Sequence, residues 1–179
     1  AERTVAEITA AGGKAIALGA DLMREAEVEH LVPKAREALG PLGVLVNNAS
    51  TFEYDSWQTA DRHSWDLHLE PNLRAPFVLS QAFARGLPEG RHGAIINMID
   101  QRVWSLTPHF MSYTVSKTGL WTLTRTLALA LAPKVRVNAI GPGPALPSRH
   151  QTQEQFDRQV ASMPLACGTS PEEICLSVR

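Results

Sequence analysis

Tyr113 and Lys117 stand four residues apart, and Asp100 precedes Tyr113 by thirteen. Residues four apart on an α-helix share one face. A phenol keeps its proton until about pH 10, and a neighbouring ammonium favours the phenolate and lowers that value. Such a pair can pass a proton to a carbonyl or an imine near neutral pH. A carboxylate close to the phenol works the other way, because its charge opposes the phenolate. A Tyr-x-x-x-Lys spacing also occurs on solvated helix faces, so its meaning depends on the elements around it.

Residues 94–99 form a short apolar run that reads as a strand delivering Asp100. Residues 111–132 read as a helix bearing Tyr113 and Lys117, with Val115, Leu120, Leu123, Leu127 and Leu131 as core or interface positions and Pro133 as its stop. Three further strands are expected at residues 14–19, 44–46 and 135–140. Asp21-Leu22 follows the first, Asn47-Asn48-Ala49-Ser50 the second and Gly141-Pro142-Gly143-Pro144 the third. Ligands of open α/β sheets bind outside the carboxyl ends of strands, where these loops fall. Small residues there let a backbone approach a ribose or a ring closely, and the Ser50 hydroxyl could bond a phosphate or ribose. Blander roles are a helix cap for Asp21, a tight polar turn for 47–50 and a stiff turn for 141–144.

The intervening segments have helical periodicity. Residues 1–10 place Val5 and Ile8 on one face, and Gly12-Gly13 ends that helix. Residues 24–39 group Val28, Leu31, Val32, Ala35 and Leu39 on one side, with Pro33 expected to bend the helix. Residues 61–87 read as a long helix interrupted at Pro71 and Pro76, which puts Asn72 at a predicted kink. Residues 151–163 look like a polar helix over the cleft, and Ser170-Pro171-Glu172-Glu173 is a good helix start. Phe52 lies in a polar loop, where it either stacks on a flat ring or plugs the local core.

With 179 residues, 44% hydrophobic and 20% charged, the chain can bury a core of one domain. A net charge of −1 gives no reason to expect nucleic acid or an anionic membrane as partner, and no apolar run approaches a membrane span. Cys167 and Cys175 make no metal or redox motif, and the six histidines show no ligand spacing. No metal is expected. Reduced thiols in a cytoplasmic protein are the plain reading.

Taken in order, Asp21-Leu22, Asn47-Asn48-Ala49-Ser50, Asn72, Tyr113-x-x-x-Lys117 and Asn138-Ala139-Ile140-Gly141-Pro142-Gly143 resemble the short-chain dehydrogenase/reductase family, from the first residues to about Ile174. The resemblance implies an α/β fold of Rossmann type: a doubly wound parallel sheet in a single domain. It implies NADPH as cofactor, with NADH the alternative. Asp21 and Leu22 would meet the adenine. Asn48, Ala49, Ser50, Tyr113, Lys117, Pro142 and Gly143 would hold the rest of the cofactor, and Asn72 would hold a water that links Lys117 to solvent. A homo-oligomer, tetramer or dimer, is also implied.

Most members carry Ser where this chain has Asp100. Met98-x-Asp100, Ser50 and Phe52 together resemble the pteridine and dihydromonapterin reductases, in which an aromatic ring and the nicotinamide sandwich a pterin. The expected reaction is hydride transfer to a C=N or C=O group of a pterin or carbonyl substrate, with Asp100, Tyr113, Lys117 and Asn72 as the catalytic set and Phe52 against the substrate. The alternatives are a general ketone reductase and an inactive fragment or interaction subunit. The family's opening glycine-rich phosphate loop and its last strand have no counterpart here, so residues 1–179 read as a truncated domain. In the family's sheet order, 3-2-1-4-5-6, the absence of strands 1 and 2 would leave strand 3 roughly 14 Å from strand 4.

Overall fold

A computed structural model describes residues 1–178. The elements in order are α1 (Glu2–Ala10), α2 (Glu25–Leu39), β1 (Val44–Asn47), α3 (Arg62–Leu69), α4 (Ala75–Gly86), β2 (Gly93–Met98), α5 (Met111–Leu131), β3 (Val135–Ile140), α6 (Gln153–Ala161) and α7 (Pro171–Val178). The three strands form one parallel sheet in the order β1-β2-β3, flanked by helices. Parallel strands need crossover connections, and the helices supply them. Val44 pairs with Ala94 and Asn47 with Asn97, while Gly93 pairs with Val135 and Met98 with Ile140. All three strands therefore end on one edge of the sheet, and the loops after Asn47, Met98 and Ile140 leave it together.

The core forms where α4 and α5 cover the sheet. Phe83 and Leu87 meet Ile95, Val135, Val137 and Leu127 there. A second cluster joins Val28 of α2 to Ala75 and Val78 of α4. A third, Ile99, Val103 and Leu120, lies directly beneath the loop that follows β2. Burying such a side chain contributes about 1.5–3 kcal/mol, so these clusters fix the sheet edge from below. Among the described residues no helix is long and apolar enough to cross a membrane.

Two expectations are corrected. Residues 14–19 are not a strand. A strand needs a neighbouring backbone for its N–H and C=O groups, and no strand pairs with the outer side of β1 among the described residues. Leu18, Ala20 and Leu22 instead face Val46 and Ala49 across a cleft of about 260 Å³. The long helix over residues 61–87 is divided. It runs as α3, then a π-helical turn over Glu70–Arg74, then α4. Pro71 and Pro76 have no N–H to give, so the ladder shifts register and Ala75 bonds the Glu70 carbonyl five residues back. Asn72 is fully buried in that turn.

Val44 is 57% and Val46 40% exposed on the outermost strand. An apolar edge strand is a template for pairing with another chain. The 179-residue chain purified alone is expected to self-associate at micromolar concentration in light-scattering chromatography. A monodisperse, cooperatively unfolding monomer would count against this reading of β1.

Candidate active site

The site begins with β2. Its last residues carry the chain to Asp100, which caps a short 3-10 turn over Gln101–Val103. Asp100 Oδ1 accepts the Arg102 N–H at 2.8 Å, and Asp100 Oδ2 accepts the Tyr113 hydroxyl at 2.7 Å. Tyr113 sits in the first turn of α5 and is 6% exposed. Lys117, one turn on, donates from Nζ to the Met98 carbonyl at 2.7 Å. Its ammonium lies 5.8 Å from the centre of the Tyr113 ring. The two side chains thus share a face of the helix, as their spacing requires, but Lys117 makes its direct bond to the end of β2.

This arrangement departs from the expected effect of Lys117 on the phenol. Burial, then the charge of Asp100 and its hydrogen bond, hold the Tyr113 hydroxyl well above the ordinary tyrosine range, with Arg102 pulling weakly the other way. Lys117 moves in the opposite sense. Burial lowers its pKa to about 8, partly offset by the charge of Asp100. A lysine ordinarily titrates near 10.4. Between about pH 8 and 10.4 the unfolded chain therefore holds a proton that the folded chain has released, and stability rises with pH across that window. Lys117→Met removes this dependence. In urea titrations the stability of the parent relative to Lys117→Met is expected to rise by about 3 kcal/mol from neutral pH to the alkaline end of that window. A constant difference would mean that Lys117 is solvated.

Asn72 is held by both of its polar atoms. Its Oδ1 accepts the Thr51 N–H at 2.8 Å, and its Nδ2 donates to the Thr51 carbonyl at 2.9 Å and to Ser116 Oγ at 3.1 Å. The π turn thus fastens the loop after β1 to the residue beside Lys117. Ser50 and Tyr113 line one cleft of about 410 Å³, together with Phe52, Asp100, Pro142 and Gly143. Asn48, Ala49 and Leu22 line the 260 Å³ cleft on the other side of the same loop. The run from Asn47 to Ser50 therefore borders both. Asp21 lies beside the second cleft, exposed, with Oδ1 accepting the Met23 N–H at 3.0 Å. It turns the chain locally, whereas the helix cap position belongs to Arg24. Asn47 and Asn97 bond side chain to side chain at 2.8 Å between β1 and β2, and Asn97 donates on to Thr124 at 2.9 Å.

Phe52 does not fill the core. Its ring stacks on Phe110 with centroids 4.4 Å apart and meets the edge of Tyr113 at 4.7 Å. The ring is presented on the wall of the cleft.

Several residues at the site carry no signal in sequence periodicity. Phe110 adopts a left-handed backbone, φ 57°, just before α5. Its N–H bonds the Asp55 carbonyl at 2.8 Å, which holds the ring beside Phe52. Below it His68 is fully buried. Its Nε2 accepts the Glu53 N–H at 3.0 Å, so the proton lies on Nδ1, within 2.7 Å of Ser112 Oγ. Burial holds the imidazole below its ordinary pKa, in agreement with a neutral ring. Ser112 in turn donates to the buried carboxylate of Asp55. This network ties the Phe52 loop and α3 to the residue preceding Tyr113. At the mouth, His150 Nε2 lies 3.1 Å from the Phe52 carbonyl, and Arg149 pairs with Glu53.

Comparison with known proteins agrees with this geometry. Residues 1–158 match the family model of the short chain dehydrogenases. The crystal structure of the FolM alternative dihydrofolate reductase 1 of Brucella canis, complexed with NADP, superposes with a TM-score of 0.95 at 47% identity. The match covers 99% of this chain and 70% of that one. An uncharacterized oxidoreductase of Methylorubrum extorquens is 33% identical over 97% of this chain and 72% of its own length. The NAD(P)-dependent L-rhamnose 1-dehydrogenase of Azotobacter vinelandii is 35% identical over 94% of this chain and 68% of its own. The likeness to FolM is in line with the pteridine-reductase character expected from Asp100, Ser50 and Phe52. The order of motifs, the parallel sheet and the family match lead to one conclusion: the chain belongs to the short-chain dehydrogenase/reductase family of oxidoreductases.

Proposed function

We propose that this chain carries the reaction centre of an NADPH-dependent reductase acting on the C=N bond of a dihydropterin. The observation that carries the reading is the 2.7 Å bond between Tyr113 and Asp100, set at the wall of a cleft that presents the Phe52 ring. The likeness to a FolM reductase solved with NADP supports it.

The residues present fit the base and the nicotinamide half of a dinucleotide. The smaller cleft, mostly apolar and bordered by Leu22 and Ala49, suits a flat base, with Asp21 at its rim. Asn48, Ala49 and Ser50 would hold the middle of the cofactor, and Tyr113, Lys117, Pro142 and Gly143 its nicotinamide half. When bound, NADPH supplies the hydride. Phe52 and Phe110 orient the flat substrate ring. The Tyr113 hydroxyl would stand beside the C=N nitrogen and supply the proton that the reduced bond requires. Asp100 accepts that hydroxyl at 2.7 Å and positions it. Lys117, losing its proton near pH 8, holds the next proton one helical turn away. Asn72 keeps the Thr51 backbone and α5 in register. The apolar groove formed by Leu69, Leu73, Phe77 and Leu123 beside α5 supports assembly as a homo-oligomer.

NADPH oxidation by the full-length protein tests the reading with dihydrofolate and dihydrobiopterin against simple ketones. Turnover of the dihydropterins is expected. Turnover of ketones alone would make the protein a general ketone reductase, and failure to bind NADPH at all would make it a non-catalytic subunit.

A further inference from the structure

The 410 Å³ cleft is lined by one carboxylate, Asp100, and by a cation, Arg102, whose charge is unanswered. Glu53 pairs with Arg149 and His150 at the mouth. Asp100 is engaged by the Tyr113 hydroxyl and the Arg102 N–H. The Arg102 guanidinium has no such partner. No ion pair and no side-chain hydrogen bond reaches it among the described residues, whereas Arg62 and Arg74 both bond carboxylates. Its carbon lies 5.0 Å from the centre of the Phe52 ring, 4.8 Å from Phe110 and 5.9 Å from Tyr113.

Its place against these rings is a cation–π arrangement that helps to hold the guanidinium and strips part of its water. Its five N–H donors are left for something that enters the cleft. A planar fork of this kind matches a carboxylate with two parallel bonds. The remaining polar lining includes Ser148, Gln151 and Gln159, none of which carries charge. The cleft thus offers a flat aromatic wall, a proton donor and one fixed positive charge.

We propose that Arg102 is a specificity-determining residue, which selects a dihydropterin whose side chain bears a carboxylate, as in dihydrofolate, over one whose side chain is uncharged. The proposal rests on the dihydropterin reading above and adds the charge of the tail. That tail is remote from the reacting C=N bond. Arg102 therefore holds ground state and transition state alike, and its loss appears in KM rather than kcat.

The full-length protein is assayed with NADPH on dihydrofolate and on dihydrobiopterin, whose side chain carries no charge. The parent is expected to favour dihydrofolate in kcat/KM. Arg102→Met should lose about tenfold or more on dihydrofolate, chiefly in KM, and leave KM for dihydrobiopterin nearly unchanged, any change in kcat through Tyr113 being common to both substrates. Arg102→Lys should recover part of the loss. Should the Met variant fail to fold, Arg102→Gln keeps a polar stem without the charge. The parent alone gives a further measurement: added salt should raise KM for dihydrofolate and not for dihydrobiopterin. Equal rises in KM on both substrates would reduce Arg102 to a support for the aromatic cluster and overturn the proposal. So would a parent that prefers dihydrobiopterin. If neither dihydropterin is reduced while ketones are, the reading of the site itself fails and takes this proposal with it.

Discussion

Tyr113→Phe is expected to lower kcat by about 10²–10⁴, the range in which a positioned proton donor acts, and to weaken NADPH binding by no more than the roughly tenfold that one hydrogen bond contributes. The substitution removes one oxygen and keeps the ring that packs against Phe52 and His68. Asp100 lies in the cleft, where water can replace the lost 2.7 Å bond. The fold should therefore lose only about 1 kcal/mol. Steady-state NADPH oxidation, a fluorescence titration of NADPH and a urea denaturation separate the three quantities. A variant with near-parental kcat would show that the proton comes from elsewhere and leave Tyr113 with a positioning role. A variant that lost activity together with its fold would leave the assignment to Tyr113 without support.

The sequence made the frame of this site legible because its main signals are local. The apolar runs at β1, β2 and β3 and the i, i+4 placement of Tyr113 and Lys117 follow from periodicity alone. The two prolines flagged a break at Asn72, although they could not show that the break is a π turn in which the Asn72 side chain grips Thr51. Residues 14–19 have the composition of a strand, but pairing is a property of the neighbour, and the expected strand has none here. The Tyr113 pKa departs from what the spacing to Lys117 implies for a similar reason. Spacing places Lys117 on the same face, whereas it is burial and the bond to Asp100, thirteen residues upstream, that set the phenol. Arg102, Phe110 and the buried His68–Ser112–Asp55 network come from loops and helix ends, where contacts link positions about 50 apart and no repeat announces them.

Asp100→Ser is expected to lower kcat by about 10²-fold and to bring the Tyr113 pKa down toward the ordinary tyrosine range. In the structure the Tyr113 hydroxyl points its proton at Asp100 Oδ2. An ionised carboxylate in that position keeps the proton on the phenol, since both its charge and its bond oppose the phenolate. Serine can accept the same hydroxyl but carries no charge at any working pH. In the variant only burial still raises the Tyr113 pKa, which should move down toward the ordinary tyrosine range, visible in an ultraviolet titration of the phenolate. The charge of Asp100 also raises the Lys117 pKa, so in the variant the alkaline limb governed by Lys117 should move below its position near pH 8. A Tyr113 phenolate that titrates in Asp100→Ser as it does in the parent would take Asp100 out of the proton path and leave it as the cap of the turn that carries Arg102.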